Sequence, residues 1–202
     1  MTTDTSATAG TTCAATTSAG TGPASAVSPI PPGYSTLTPF FVVDGAERAI
    51  AFYGAVLGAE VVGRNDTPDG RIAHCELALA NGRMQLSDPA PDHNLIAATG
   101  GDDVSRSTVA YLPDVDAAYA RALQLGAKGY GEPSTFVTGD RFAAFLDPWG
   151  HRWAIMTRVE DVDPAEAQRR VDAWLAESAE PAEPAEPSGA ESSGADGAGT
   201  TS

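Results

Sequence analysis

The chain has 202 residues and a net charge of −15, with 12 basic residues of which only Lys128 is a lysine. Without clustered arginines it lacks the basic stripe that a phosphate backbone requires, so no nucleic-acid partner is expected. No Lys or Arg precedes Arg48, and no continuous apolar run follows Met1. Neither a secretory leader nor a membrane span is therefore expected, and the expected location is cytoplasmic.

Residues 1–34 are mostly Thr, Ala, Ser and Gly, and residues 178–202 are Ala-Glu-Pro triplets followed by Ser, Gly and Ala. Neither stretch has the apolar content to offset the entropy of ordering it, which predicts two disordered tails. Seven acids (Asp4, Glu177, Glu180, Glu183, Glu186, Glu191, Asp196) and no base lie outside residues 35–175, so the foldable middle is only moderately acidic. Cys13 falls in the first tail and Cys75 in a strand pattern. That spacing suggests neither a disulfide framework nor a zinc site, and Cys75 reads as a buried small hydrophobe.

In chain order, Leu37 to Val43 is an apolar, β-rich run. Asp44 then opens a helix with Glu47 three residues on, so that carboxylates could satisfy the first-turn amides. Ala46, Ala49, Ile50, Tyr53 and Leu57 share one helical face, and Gly58 supplies the left-handed stop. Strands are predicted at Ala59–Asn65, Arg71–Leu79 and Arg83–Ser87, the last two joined by an Asn81-Gly82 turn. After a polar linker the pattern restarts with a strand at Ser107–Leu112. A helix presents Val115, Ala118, Tyr119 and Ala122, then stops at Gly126. Strands follow at Ala127–Glu132, Phe142–Leu146 and His151–Thr157, with Asp147-Pro148-Trp149-Gly150 as a turn. Asp163-Pro164-Ala165-Glu166 begins a last helix running to about Glu177.

Gly58 and Gly126 lie 68 residues apart, as do Gly82 and Gly150. The expected architecture is thus two βαβββ units, an α+β fold with a C-terminal helix, and a ligand site between the copies. The expected boundaries are 35–160 for the domain, with modules at 36–88 and 107–158 and a linker at 89–106, and 161–177 for the helix.

These two units, with the strings AIAFYGAVLGAE, DGRIAHCEL and GDRFAAFLDPWGHRW, resemble the vicinal oxygen chelate superfamily of glyoxalase and bleomycin-resistance proteins, and most closely its PhnB-like subgroup. The resemblance implies that the two modules curl into a mixed-sheet cup and that the protein is a homodimer. In metal-dependent members four strand positions ligate a divalent ion; here they fall on Thr38, Gln85, Thr108 and Ala154. None offers an imidazole or a carboxylate, so the usual metal site is expected to be missing and no cofactor is expected.

A two-residue Asn81-Gly82 turn would set Leu79 against Met84, Ala78 against Gln85 and Glu76 against Ser87. Strand alternation then places Leu77, Leu79, Met84 and Leu86 in the core, and His74, Glu76, Gln85 and Ser87 on the cup side. His74 with Glu76 could form a general-base pair, or a polar pair on a half-exposed sheet. Pairing Leu146 with His151 would put Arg141 opposite Met156, on the face of Ala154. There it could clasp an anion, or else form a rim ion pair. Phe40 and Met156 would supply apolar walls. Trp153 points toward the helices, and His151 and His93 are read as solvated. The expected function is small-molecule binding without a metal. The alternative is an isomerase or lyase using His74 and Glu76 as base and Arg141 as anion holder, with or without a divalent ion.

Overall fold

The structure is a computed structural model that describes residues 27–99, 101 and 103–179. The C-terminal tail from residue 180 and residues 1–26 of the N-terminal one lie outside the described residues. The first module comprises β1 (Phe40–Val42), α1 (Ala46–Leu57), β2 (Glu60–Asp66), β3 (Ile72–Leu79) and β4 (Gly82–Ser87). The second comprises β5 (Ser107–Tyr111), α2 (Val115–Gln124), the short β6 (Lys128–Gly129) and β7 (Ser134–Thr135), β8 (Asp140–Leu146) and β9 (Arg152–Arg158), followed by α3 (Pro164–Ala179). The α+β class and the duplicated module are as expected.

Each module forms its own mixed sheet, in the order β1-β4-β3-β2 and β5-β9-β8-β6, with β7 also on β8. The parallel pairs β1–β4 and β5–β9 are crossovers through a helix, which is what places α1 and α2 on one side of the sheets. Phe41, Val43, Leu86, Met84, Cys75 and Leu77 from the first sheet, and Phe145, Trp153 and Ile155 from the second, close onto Ala49, Tyr53, Ala118 and Ala122 in one core. Cys75 is fully buried, and burial pushes its thiol pKa up, as suits an inert packing residue.

Two sequence expectations shift here. The β3–β4 pairing sets Leu79 against Gly82, Leu77 against Met84 and Glu76 against Gln85, two residues from the expected register. Because the side-chain period is two, an even shift leaves every residue on its expected face. The repeat offset also changes along the chain. Phe40 paired with Gln85 corresponds to Val109 paired with Ala154, an offset of 69. Helix α2 is 10 residues long against 12 for α1, so Gly58 is itself the C-cap of α1 whereas Gly126 lies one residue past the Leu125 cap of α2. Gly82 is a strand residue, whereas Gly150 is a left-handed turn residue at φ 85°, so those two glycines are not counterparts.

Helix capping differs as well. The N-cap of α1 is Gly45, held at φ 88° without a side-chain bond of its own, so Asp44 does not cap it. The amides of Gly45 and Ala46 instead donate to Asp88 Oδ1 at 3.0 and 2.9 Å, and Ile72 N donates to Oδ2 at 2.7 Å. One carboxylate just past β4 thus ties a helix start to a strand start. In α2 the cap is local, Ala117 N donating to Asp114 Oδ1 at 2.9 Å.

The modules are joined through the β8–β9 turn. Asp147 is 3% exposed and accepts four hydrogen bonds. Trp149 N (3.0 Å) and His151 N (2.9 Å) donate to Oδ1, while Tyr53 Oη (2.7 Å) and Trp153 Nε1 (3.0 Å) donate to Oδ2. Tyr53 belongs to α1, so the turn of one module is anchored in the helix of the other. Trp149 Nε1 adds a bond to Asp44 O at 3.0 Å, and Phe41 packs on Trp153 with centroids 5.3 Å apart.

Candidate functional site

With the helices covering one side, the opposite faces of both sheets are the surface available to a ligand. On the first sheet the strand alternation brings Phe40, Gln85, Ser87, His74 and Glu76 to that side. The His74 ring lies against Phe40, centroids 6.0 Å apart and 29° from parallel. Glu76 stands between Gln85 and Gly63, and its carboxylate is 3.9 Å from the Arg83 guanidinium. His74 and Glu76 therefore share a face, but among the described residues no hydrogen bond joins them. Ser87 is 1% exposed and its Oγ has no partner. Thr38 lies just before β1 and its hydroxyl donates to Ser35 O at 3.3 Å.

Tyr34 and Arg83 belong to this cluster and are absent from the sequence-derived set. Gln85 Nε2 donates to Tyr34 Oη at 3.3 Å, and Arg83 sits 5.3 Å from the centroid of the Tyr34 ring. The phenol pKa is raised, first by the influence of the Glu76 carboxylate and then by desolvation. Arg83 was signalled by its alternation with Gln85 on β4. Tyr34 carried no local signal, because it lies in a stretch whose composition reads as tail.

On the second sheet the open side carries Val109, Tyr111, Ala154 and Met156, with Phe142 paired to Met156 and Ala144 to Ala154. Val109 and Tyr111 are 54% and 58% exposed, and Phe40 of the first sheet is 38% exposed. Tyr111 Oη donates to Asp140 Oδ2 at 3.4 Å, and Arg158 lies 3.6 Å from the same carboxylate.

The remaining residues need correction. Thr108 pairs with Trp153, on the side of the helices, because the strand offset is 69; Val109 occupies the position expected for it. Leu146 pairs with Arg152 rather than His151, so Arg141 faces Thr157 and not Met156. This odd shift reverses the face. Arg141 is turned to α2, where Nε and Nη2 each donate to the Asp116 carboxylate at 2.6 Å, and it is not part of the wall containing Ala154. His151 is only 6% exposed rather than solvated.

The donor set at the family's metal positions can be tested by its chemistry. A hydroxyl already bonded to a backbone carbonyl, an amide bonded to a phenol, and an alanine with no donor atom do not make the imidazole or carboxylate set that a divalent ion requires. Among the described residues no three His, Cys, Asp or Glu side chains converge as such a group. The residues present do not fit the ion.

A family model for the glyoxalase/bleomycin resistance protein/dioxygenase superfamily matches residues 36–155. The chain belongs to that superfamily. An uncharacterised protein of Mycobacterium tuberculosis is 32% identical over 140 residues, spanning 65% of this chain and 79% of that protein. An uncharacterised Mycobacterium bovis protein is also 32% identical, over 65% of this chain and 89% of its own length. Among solved structures, TioX from Micromonospora shows 19% identity and a TM-score of 0.49 over 61% of this chain and 98% of that one. A PhnB protein from Bacillus cereus shows 16% identity and a TM-score of 0.49 over 61% and 99%. No helix among the described residues is long and apolar enough to cross a membrane.

Proposed function

We propose that this protein binds an apolar or aromatic small molecule against the open sheet faces, without a resident metal ion, as a homodimer whose two copies close the site. The observation that carries this reading is the exposure of Phe40, Val109 and Tyr111 on strand faces turned away from the helices, beside one polar cluster. Exposed aromatic and β-branched side chains on a sheet supply area and shape for a ligand or a second copy. Gln85, Tyr34, Glu76 and Arg83 supply the few directional groups that fix orientation.

The alternative, proton abstraction by a His74–Glu76 pair, is less well supported. Glu76 is paired with Arg83, and His74 lies against the Phe40 ring, so neither orients the other as a base requires. Arg141, bound to Asp116, is also turned away from the anion-holding role that this mechanism would give it.

Native mass spectrometry of the purified full chain tests the reading, with an apolar adduct in a dimer as the expected result. Elemental analysis of protein prepared without chelator, and melting with Ni, Zn, Mn and Mg, tests the metal. Stoichiometric metal that is lost in His74→Ala would overturn the metal-free reading. Light scattering during size-exclusion chromatography reports the dimer.

A further inference from the structure

Of the polar groups gathered on the open face of the first sheet, Gln85, Glu76 and Arg83 stand on strands, whereas Tyr34 reaches them from the segment before β1. The run Pro31-Pro32-Gly33-Tyr34 builds that approach. Tyr34 N donates to Pro31 O at 3.1 Å, with Pro32 and Gly33 as the central residues and Gly33 at φ 83°. Proline followed by a positive-φ glycine is the pattern of a type II turn. A Cβ on Gly33 would lie 3.0 Å from Arg83 Nε, so the bare backbone of the turn rests on that arginine.

The turn delivers one ring to the sheet. The Arg83 guanidinium lies over it, 5.3 Å from the centroid, and Gln85 Nε2 donates to its hydroxyl at 3.3 Å. Among the described residues, the side-chain hydrogen bonds made by Ser28, Ser35 and Thr38 all end within this same segment, on Ile30 O, Leu37 O and Ser35 O. The Tyr34 phenol is thus the hydrogen-bonded link between residues 28–38 and the sheet. The Glu76 carboxylate raises the phenol pKa, which favours the neutral hydroxyl. Phe40 and His74 continue the same face past Gln85 as a pair of stacked rings.

A cation for the ring face and an amide N–H for the oxygen recognise any ring of this shape, whether it is tethered or free. We infer that the Tyr34 ring is an intramolecular stand-in for the ligand, and that the open face of the first sheet takes a neutral phenol that displaces the Pro31–Tyr34 turn. This rests on the open-face reading above and narrows it. The ligand class is a hydroxylated aromatic ring, and Tyr34 holds its place until it arrives.

p-Cresol, the tyrosine side chain as a free molecule, is the probe, and toluene, which lacks only the hydroxyl, is the control. The full chain has five tyrosines, so with isotope-labelled tyrosine rings the Tyr34 NMR signal is assigned by its loss in Tyr34→Phe. p-Cresol is expected to move that signal to the position it has in a free peptide of residues 28–38. Binding is followed in parallel through the amide signals of β4. With the tethered competitor removed, Tyr34→Ala is expected to bind p-cresol about fivefold tighter than wild type or more. Toluene should bind Tyr34→Ala about threefold more weakly than p-cresol or worse, and adding Gln85→Leu should abolish that preference. The proposal is overturned if p-cresol binds while the Tyr34 signal stays in place, if Tyr34→Ala binds it no tighter than wild type, or if toluene binds equally well. Equal binding of toluene leaves the apolar open-face reading standing, whereas failure of both probes to bind Tyr34→Ala removes that reading as well.

Discussion

Replacing Asp147 by Asn changes one oxygen to an NH2 group at a site where all four neighbours are donors. Whichever way the amide turns, two of Trp149 N, His151 N, Tyr53 Oη and Trp153 Nε1 lose their acceptor and confront a donor. Hydrogen bonds to a charged acceptor contribute about 1.5–3 kcal/mol each, and the stranded donors are buried, so Asp147→Asn should cost about 3–5 kcal/mol. At about 2–4 °C per kcal/mol for a chain of this size, the melting temperature falls by roughly 6–20 °C. Tyr53→Phe removes one donor and leaves the carboxylate three, so its cost should stay near 1–2 kcal/mol. Urea unfolding followed by far-UV circular dichroism measures both, with an unchanged m-value as the check that the transition is the same one. A pH series adds a second readout. Burial, then the Asp147 charge, holds the Tyr53 phenol well above its ordinary value of 10. Stability is therefore fully present below pH 10 and lost as pH rises beyond it, where only the unfolded chain ionises. Tyr53→Phe should lose less stability than wild type across that window. If Asp147→Asn unfolds within about 1 kcal/mol of wild type, the four-donor arrangement around Asp147 is wrong.

Asp88→Ala should cost about 2 kcal/mol because three amides lose their acceptor, whereas Asp44→Ala should be nearly silent; chemical denaturation of the pair distinguishes the two caps. Gly139 has φ 90°, and a Cβ there would strike the Glu160 carbonyl oxygen, so Gly139→Ala should lose about 2 kcal/mol or more in the same assay. Burial holds the His151 pKa below 6.5, against the pull of Asp147 and the Val42 carbonyl. The stability that goes with its neutral form is thus fully present above pH 6.5 and is lost as pH falls below that value, when the unfolded chain takes up the proton first. Wild type should melt progressively lower under acid, and His151→Gln should flatten that slope. Arg141→Gln breaks a partly exposed ion pair with Asp116 and should change stability by less than about 1 kcal/mol, measured by thermal melting.

Hydrophobic periodicity and turn chemistry were enough to read the two modules, the helix faces and the burial of Cys75, Leu77 and Trp153, because those features depend on neighbours within a few residues. His74, Glu76 and Gln85 were assigned to one face correctly even though the hairpin register was off, since a two-residue slip preserves alternation. Arg141 and Thr108 were misplaced because each depended on a count across a turn or across the repeat, where one residue reverses a strand. The family positions Thr38, Gln85 and Ala154 could be read as lacking metal-ligand chemistry from residue type alone.

Other features had no local signature at all. Asp88 capping a helix more than 40 residues earlier, Tyr53 reaching Asp147, and Tyr34 lying over Arg83 all join groups distant in sequence. Such partners are chosen by where the sheets and helices come to rest, so only packing could decide them. The same holds for His151, which composition and position after a turn marked as solvated, and which β1 and the turn carboxylate bury. The sequence by itself determined a duplicated α+β fold and the residue types on each strand. The tertiary structure decided which of those residues meet, because that depends on a register and an offset that a single residue can change.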